Sequence, residues 1–238
     1  MVLEMRPLDR GPAPQRYDDY RHAKQDLVNR FGAYCCYCER RIATGLAVEH
    51  ILAQSLFPHL QTDWHNFLLA CVNCNSAKLA KLVACDQILL PDRDNTFAAF
   101  SYAENGMVEV ALAPDAPAAN LAQAMLELVA LNRFELEAWD ESHLFSALER
   151  LSQRVQVWIQ AKDARSDYAK GETNARRIAS EAASAGFFSI WMAAFEGVAE
   201  VRQAIIQAFP NTARDCFDLE TAAISPRPSN GLAHAGKV

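Results

Sequence analysis

The sequence predicts an α+β protein: a small zinc-stapled module holding a strand pair and a helix, then one β-hairpin, then a mostly α-helical C-terminal region. Three observations carry this reading. Two Cys-x-x-Cys pairs, Cys35/Cys38 and Cys71/Cys74, bracket 32 residues. Asn105-Gly106 lies between two short apolar runs, a hairpin signal because both residues accept positive φ. Further on, apolar residues recur every three to four positions, the period of a helix with one buried face.

Taken in order, residues 1–33 read as an extended arm rich in Pro, Gly and Arg, followed by a helix over 18–31. Tyr20, Ala23, Leu27 and Phe31 keep the helical period there, and Gly32 ends it. Residues 34–90 form the module: a knuckle over 34–41, a strand over 46–51, a loop containing Pro58, and a partner strand over 66–71. Its helix is expected to open at Asn75 and run to about Leu82, with Lys78 and Lys81 on one face. Residues 91–221 hold a polar loop, P-D-R-D-N-T at 91–96, the hairpin, and a Pro/Ala-rich bridge. Helices follow over 121–131, 135–161, 172–184, 187–195 and 198–209. In the second of these, Leu144, Leu148, Leu151, Val155, Trp158 and Ile159 form the stripe expected to face the core. The tail, 222–238, is poor in bulky apolar residues and is expected to be disordered.

Composition narrows the function classes. Hydrophobic residues make up 51% and charged residues 22%, enough apolar matter for a packed core and too much for a disordered chain. The longest apolar runs, such as Phe67 to Val72, fall far short of the roughly 20 residues that cross a bilayer, and the first residues have no secretory core. A cytoplasmic protein without a membrane partner is expected. The formal charge of −6 is unfavourable for nucleic-acid binding, but it is unevenly spread. Residues 1–90 hold 10 Lys/Arg against 9 Asp/Glu, whereas residues 91–238 hold 13 against 20. The acidity lies outside the module.

Cysteine in a reducing compartment points to free thiols or metal thiolates, and pairing into two Cys-x-x-Cys turns selects the second. Two such turns can close a tetrahedral Zn²⁺ site from Cys35, Cys38, Cys71 and Cys74, leaving no open position for water; the zinc would be structural. A redox motif is the competing reading of either pair alone, and no thioredoxin-like pattern surrounds them. Cys36, Cys85 and Cys216 fall outside the set.

Between the pairs stand Glu49-His50 and Asn66, and the second pair runs on into Asn75-x-x-Lys78. In this order, Y-C-C-Y-C-E, V-E-H-I, W-x-N-F-L-L-A-C and C-N-x-x-K resemble the HNH endonuclease family in its zinc-containing, McrA-like form. The resemblance implies a ββα-metal fold and hydrolysis of DNA phosphodiester bonds. It implies that His50 is the general base, that Glu49 and Asn75 hold a catalytic divalent ion, Mg²⁺ or Mn²⁺, and that Asn66 braces the loop beside His50. Glu49 stands where the family usually has Asp. Lys78, Lys81, Arg40 and Arg41 are either DNA-backbone contacts or a solvated charged face. His65, beside Asn66, is a further candidate for metal or phosphate, His59 a lesser one, and Trp64 is expected to pack.

A wider resemblance, carried by M-R-P-x-x-R-G, P-D-R-D-N-T and G-F-F-S-x-W-M, is to PtuB-like nucleases of the Septu anti-phage system and to retron-associated HNH proteins. It implies an ATPase partner of PtuA-like kind. The rival function is a zinc-stabilised adaptor that binds nucleic acid or the ATPase without cutting. Asp92 to Asn95 read as a capped loop or an active-site rim. Phe187, Phe188, Trp191, Met192 and Phe195 read as core or as a docking surface for a partner or a second copy.

Overall fold

A computed structural model of the chain describes residues 5–132 and 141–238, and side chains outside 141–146. Among these residues the order is α1 (Ala23–Phe31), β1 (Ala47–His50), β2 (Phe67–Ala70), α2 (Val72–Lys78), α3 (Thr96–Ala99), β3 (Phe100–Tyr102), β4 (Val108–Val110), α4 (Ala119–Leu128), α5 (Glu141–Lys170), α6 (Ala175–Ala185), α7 (Phe188–Ala194) and α8 (Ala199–Ala208). The mixed α+β class, the strand pair and the hairpin appear where the sequence places them. The start of the helix expected over 135–161, together with Leu144 of its stripe, lies outside the described residues.

β1 and β2 pair antiparallel in the register Ala47↔Ala70, Val48↔Leu69, Glu49↔Leu68 and His50↔Phe67. Every residue of β2 is fully buried, since α1 packs on the hairpin and α2 returns across it. The second hairpin pairs Phe100↔Val110 through Tyr102↔Val108. Its turn requires glycine: Gly106 has φ +81° and a Cβ there would meet the Leu151 carbonyl oxygen at 2.9 Å. Phe97, expected in a strand, belongs instead to the short α3.

Three expectations are corrected. α2 begins at Val72, not Asn75, because Cys71 caps it and the first helical bond runs from Asn75 N to Cys71 O at 3.0 Å. It ends at Lys78, because Leu79 turns to φ +48°. Lys81 therefore lies beyond the helix and shares no helical face with Lys78; its Nζ reaches Leu128 O at 3.4 Å.

α5 buries only part of the stripe expected, with Trp158 inside and Leu151 and Val155 half-buried. Leu148 and Ile159 are 49% and 56% exposed, and the buried positions are Ala147, Arg150, Arg154, Val157, Trp158, Ala161 and Ala164. Two arginines stand where an apolar face was expected.

The tail is ordered by polar bonds, not apolar burial. Arg227 donates to Leu8 O at 2.9 Å and Pro91 O at 3.2 Å, Lys237 N to Asp94 Oδ1 at 2.9 Å, and Asn95 N to Val238 O at 3.0 Å. The P-D-R-D-N-T loop is thus an internal hub, with Asp92, Asp94, Asn95 and Thr96 all at 0% exposure. An active-site rim would face solvent, and this segment does not. The aromatic segment is likewise core: Phe188, Trp191, Met192 and Phe195 are fully buried within the chain.

Candidate active site and metal centre

The knuckle is a tight turn closed by Glu39 N to Cys35 O and Cys35 N to Arg40 O, both 3.0 Å, with Glu39 at φ +53°. Cys36 explains itself as its anchor to the hairpin: its N donates to Leu69 O at 2.8 Å and its Sγ accepts from Leu69 N at 3.4 Å. This brings Cys35 and Cys38 over the start of α2, where Cys71 is the cap and Cys74 lies in the first turn.

All four sulfurs are buried and lie within 4.8 Å of one another, with Cys38 and Cys71 at 3.7 Å. A tetrahedron with Zn–S bonds of about 2.3 Å has edges of about 3.8 Å, so the cluster matches the ion in size and in donor chemistry. Hydrogen bonds from Cys35, Cys38 and Cys74 hold the Cys71 thiol well below its ordinary range, while burial pushes Cys35 well above.

The knuckle is also clasped from far along the chain. Glu39 is buried and accepts from Ser189 N and Ser189 Oγ, both 2.8 Å, and its carbonyl accepts from Phe187 N at 3.0 Å. A Cβ on Gly186 would fall 2.7 Å from Arg41 N and 2.8 Å from Glu39 O, so only glycine admits this approach. Burial raises the Glu39 carboxyl to about 7. The C-C-Y-C-E and G-F-F-S motifs are therefore two halves of one contact. Pairing of the two could not be seen in either motif alone.

At the far end of the hairpin, His50 is 7% exposed. Its Nε2 donates to Gln61 O at 2.9 Å, which assigns the proton to Nε2 and leaves the Nδ1 lone pair as the basic site. Tyr20 and Phe67 pack edge-on against the ring at 4.8 and 5.2 Å between centroids. Burial holds its pKa below the ordinary histidine value, against the opposing bond to Gln61.

Asn66 Oδ1 accepts from Leu52 N at 2.7 Å, and its Nδ2 donates to Leu52 O at 2.9 Å and Leu60 O at 3.3 Å. The amide thereby ties both ends of the loop that follows His50.

Lys78, expected either on the DNA backbone or on a solvated charged face, is on neither. It is 1% exposed, and its Nζ donates to His50 O at 2.7 Å and lies 2.7 Å from Glu49 Oε1. A lysine three residues after Asn75 could equally face solvent or the strand; only the packing of α2 on β1 decides. The contact with Glu49 is a buried ion pair, with ammonium and carboxylate oxygen in direct contact. Burial raises the Glu49 carboxyl above its usual range, and Lys78 opposes the rise.

Glu49 and the half-buried Asn75, one turn before Lys78, offer oxygen donors of the kind a hard cation takes, with Lys78 already beside the Glu49 carboxylate. Asn75 makes no side-chain hydrogen bond among the described residues.

The remaining candidates lie elsewhere. Arg41 is exposed and lines a groove with Tyr34, α6 and α8, and Arg40 sits half-buried in the knuckle bridge to Gly186. His59 is exposed on the loop. His65 is exposed, with Nδ1 3.3 Å from Asp63 Oδ1. Trp64 packs as expected, stacked on Tyr17 at 6.2 Å. Arg10 and Asp92 were not foreseen: Arg10 Nε binds Asp92 Oδ2 at 2.8 Å and its Nη1 donates to Trp64 O at 2.6 Å, fixing the start of β2 from the N-terminal arm.

Residues 35–81 match a family model described as HNH endonuclease. No curated protein matches the chain. Among the described residues, no helix is long and apolar enough to cross a membrane.

Proposed function

We propose, from the HNH endonuclease match over residues 35–81, that this chain is a metal-dependent nuclease that hydrolyses DNA phosphodiester bonds with His50 as general base. The observation that carries the reading is the commitment of His50 Nε2 to Gln61 O, which leaves Nδ1 to accept the proton of an attacking water. Imidazole suits that role near neutral pH, and burial keeps the ring neutral. Lys78 holds the His50 carbonyl and the Glu49 carboxylate in place, and Asn66 keeps the loop after His50 closed.

Glu49 and Asn75 would hold Mg²⁺ or Mn²⁺ by oxygen, and such an ion supplies positive charge to the phosphate and the departing oxygen. The four-cysteine zinc would fasten the fold and take no part in the chemistry. In the cell we place the protein as the effector of a phage-defence system with an ATPase partner, on the sequence resemblance. A supercoiled-plasmid cleavage assay with Mg²⁺ or Mn²⁺, alone and with a PtuA-like ATPase added, tests the reading. Cutting by wild type and none by His50→Ala at equal zinc content supports it; equal cutting by both sinks the role of His50.

One observation favours the adaptor reading: the Glu49 carboxylate already has a cation, Lys78, at 2.7 Å. A chain that binds DNA with and without divalent metal but never cleaves, with or without its partner, would be that adaptor.

A further inference from the structure

Helix α5 carries two cations on its buried face. Arg150 and Arg154 are 6% and 2% exposed, four residues apart on one side of the helix, where like charges repel. Burying one guanidinium without a counter-charge is costly, and burying two side by side is costlier. Arg154 donates once, from Nη2 to Leu131 O at 3.0 Å. Its Nε and Nη1, and the same two atoms of Arg150, are shielded from solvent and have no hydrogen-bond partner. A solvent-borne ligand such as a phosphate cannot reach these atoms, and among the described residues no carboxylate pairs with either guanidinium.

The geometry points to the knuckle. The Arg154 guanidinium lies 5.4 Å over the Tyr102 ring, and the Tyr102 hydroxyl donates to Cys38 O at 3.4 Å. Guanidinium, phenol ring and zinc knuckle form one stack. Burial pushes the Arg154 pKa down, and the acidic groups that oppose this are Tyr102, Cys38 and Cys74. Arg150 lies one helical turn before Arg154 on the same buried face.

Four thiolates around Zn²⁺ leave a net charge of −2, buried in the interior. We propose that Arg154, assisted by Arg150, is the counter-charge of the four-cysteine zinc site, so that α5, outside the segment that supplies the ligands, sets how firmly the metal is held. Both arginines are positioning residues acting through the electrostatics of the site. The inference rests on zinc occupying the cluster and is independent of whether the chain cuts DNA.

The test uses the full chain and competition for zinc by a chromogenic chelator. Wild type is assayed first for zinc content; a chain that holds none overturns the zinc reading itself and the inference with it. Given one zinc per chain, Arg154→Met is expected to bind it about 10–100-fold more weakly, the range for outer-shell partners of metal ligands. Arg154→Lys, which keeps the charge, should recover most of the affinity, and Arg150→Met should lose less than Arg154→Met. Charge-transfer bands of the Co²⁺-loaded protein give a second readout, shifted in the Met variant and restored in the Lys variant. Equal affinities for folded wild type and Arg154→Met overturn the inference, as does an equal loss in Met and Lys, which would mean packing and not charge. If Arg154→Met does not fold, Arg150→Met against Arg150→Lys decides: loss with rescue supports the inference, and no difference overturns it.

Discussion

At one end of the β1–β2 hairpin, where Ala47 faces Ala70, four sulfurs surround a space the size of a zinc ion; at the other, where His50 faces Phe67, an imidazole, a carboxylate and an ammonium share one buried corner. The two ends are about 10 Å apart along a four-residue strand. Their chemistry is opposite. The sulfur end is closed, each donor aimed at one centre, and gains folding free energy by being filled. The His50 end is left incomplete: among the described residues Nδ1 has no hydrogen-bond partner and the Asn75 side chain makes no hydrogen bond, while Lys78 holds the Glu49 carboxylate. Unmet valences are costly to folding and useful to catalysis, and rigidity at the first end offsets what the second gives up.

Breaking the closed end should have the largest effect. Cys71→Ser should release zinc and unfold the module, because structural zinc contributes on the order of 10 kcal/mol to folding; metal analysis and thermal unfolding would show it, and a variant that keeps zinc and its midpoint contradicts the structural assignment. At the open end, His50→Ala should lower cleavage about 10²–10⁴-fold while the unfolding midpoint holds. Comparable losses of stability in both variants would erase the distinction between the two ends.

Lys78 sharpens the comparison, since it belongs to stability and to the site. Lys78→Met leaves Glu49 buried and unpaired, a loss of about 3–5 kcal/mol; adding Glu49→Gln should recover part of it, as denaturant melts of the double variant would reveal. Asn66→Ala removes three backbone contacts and should cost about 1–3 kcal/mol, with a larger fall in cleavage rate than in DNA affinity.

The smallest effect is in pH. The His50 pKa is depressed in the folded chain, so both its neutral, basic form and its contribution to stability are present above about 6.5 and are lost as pH falls through the lower folded value. A pH–rate profile should hold its plateau below 6.5 before declining; an acid limb above that value would contradict the buried environment.

How much of this was legible in the chain varies with the kind of signal. The zinc cysteines were, because a metal fixes both residue type and spacing. The strand pair, the hairpin turn at Gly106 and most helices were also legible, since period and turn chemistry are local. The buried face of α5 was not. Counting apolar residues put Leu148 and Ile159 inside, where the structure exposes both, and gave no sign that Arg150 and Arg154 would be buried. A lysine in a solvated-looking helix, Lys78, proved to be an interior partner of Glu49 for the same reason: sequence shows charge but not which charges meet.

The tail misled in the opposite sense. Few bulky residues suggested disorder, yet Arg227 and Lys237 lock it to a loop whose own polarity suggested the surface.

The sequence by itself determined two Cys-x-x-Cys turns that meet in one four-sulfur cluster, within a segment that matches the HNH model, and the local elements around it, because covalent spacing, turn conformation and helical period act over a few residues. Tertiary structure alone decided where the charges go: Lys78 onto Glu49, Arg10 onto Asp92, Glu39 under Ser189, and Arg154 of α5 over the Tyr102 ring. Each of these is a long-range pairing in a low-dielectric interior, strong only when both partners are brought together, and no window of sequence contains both the charge and its reason.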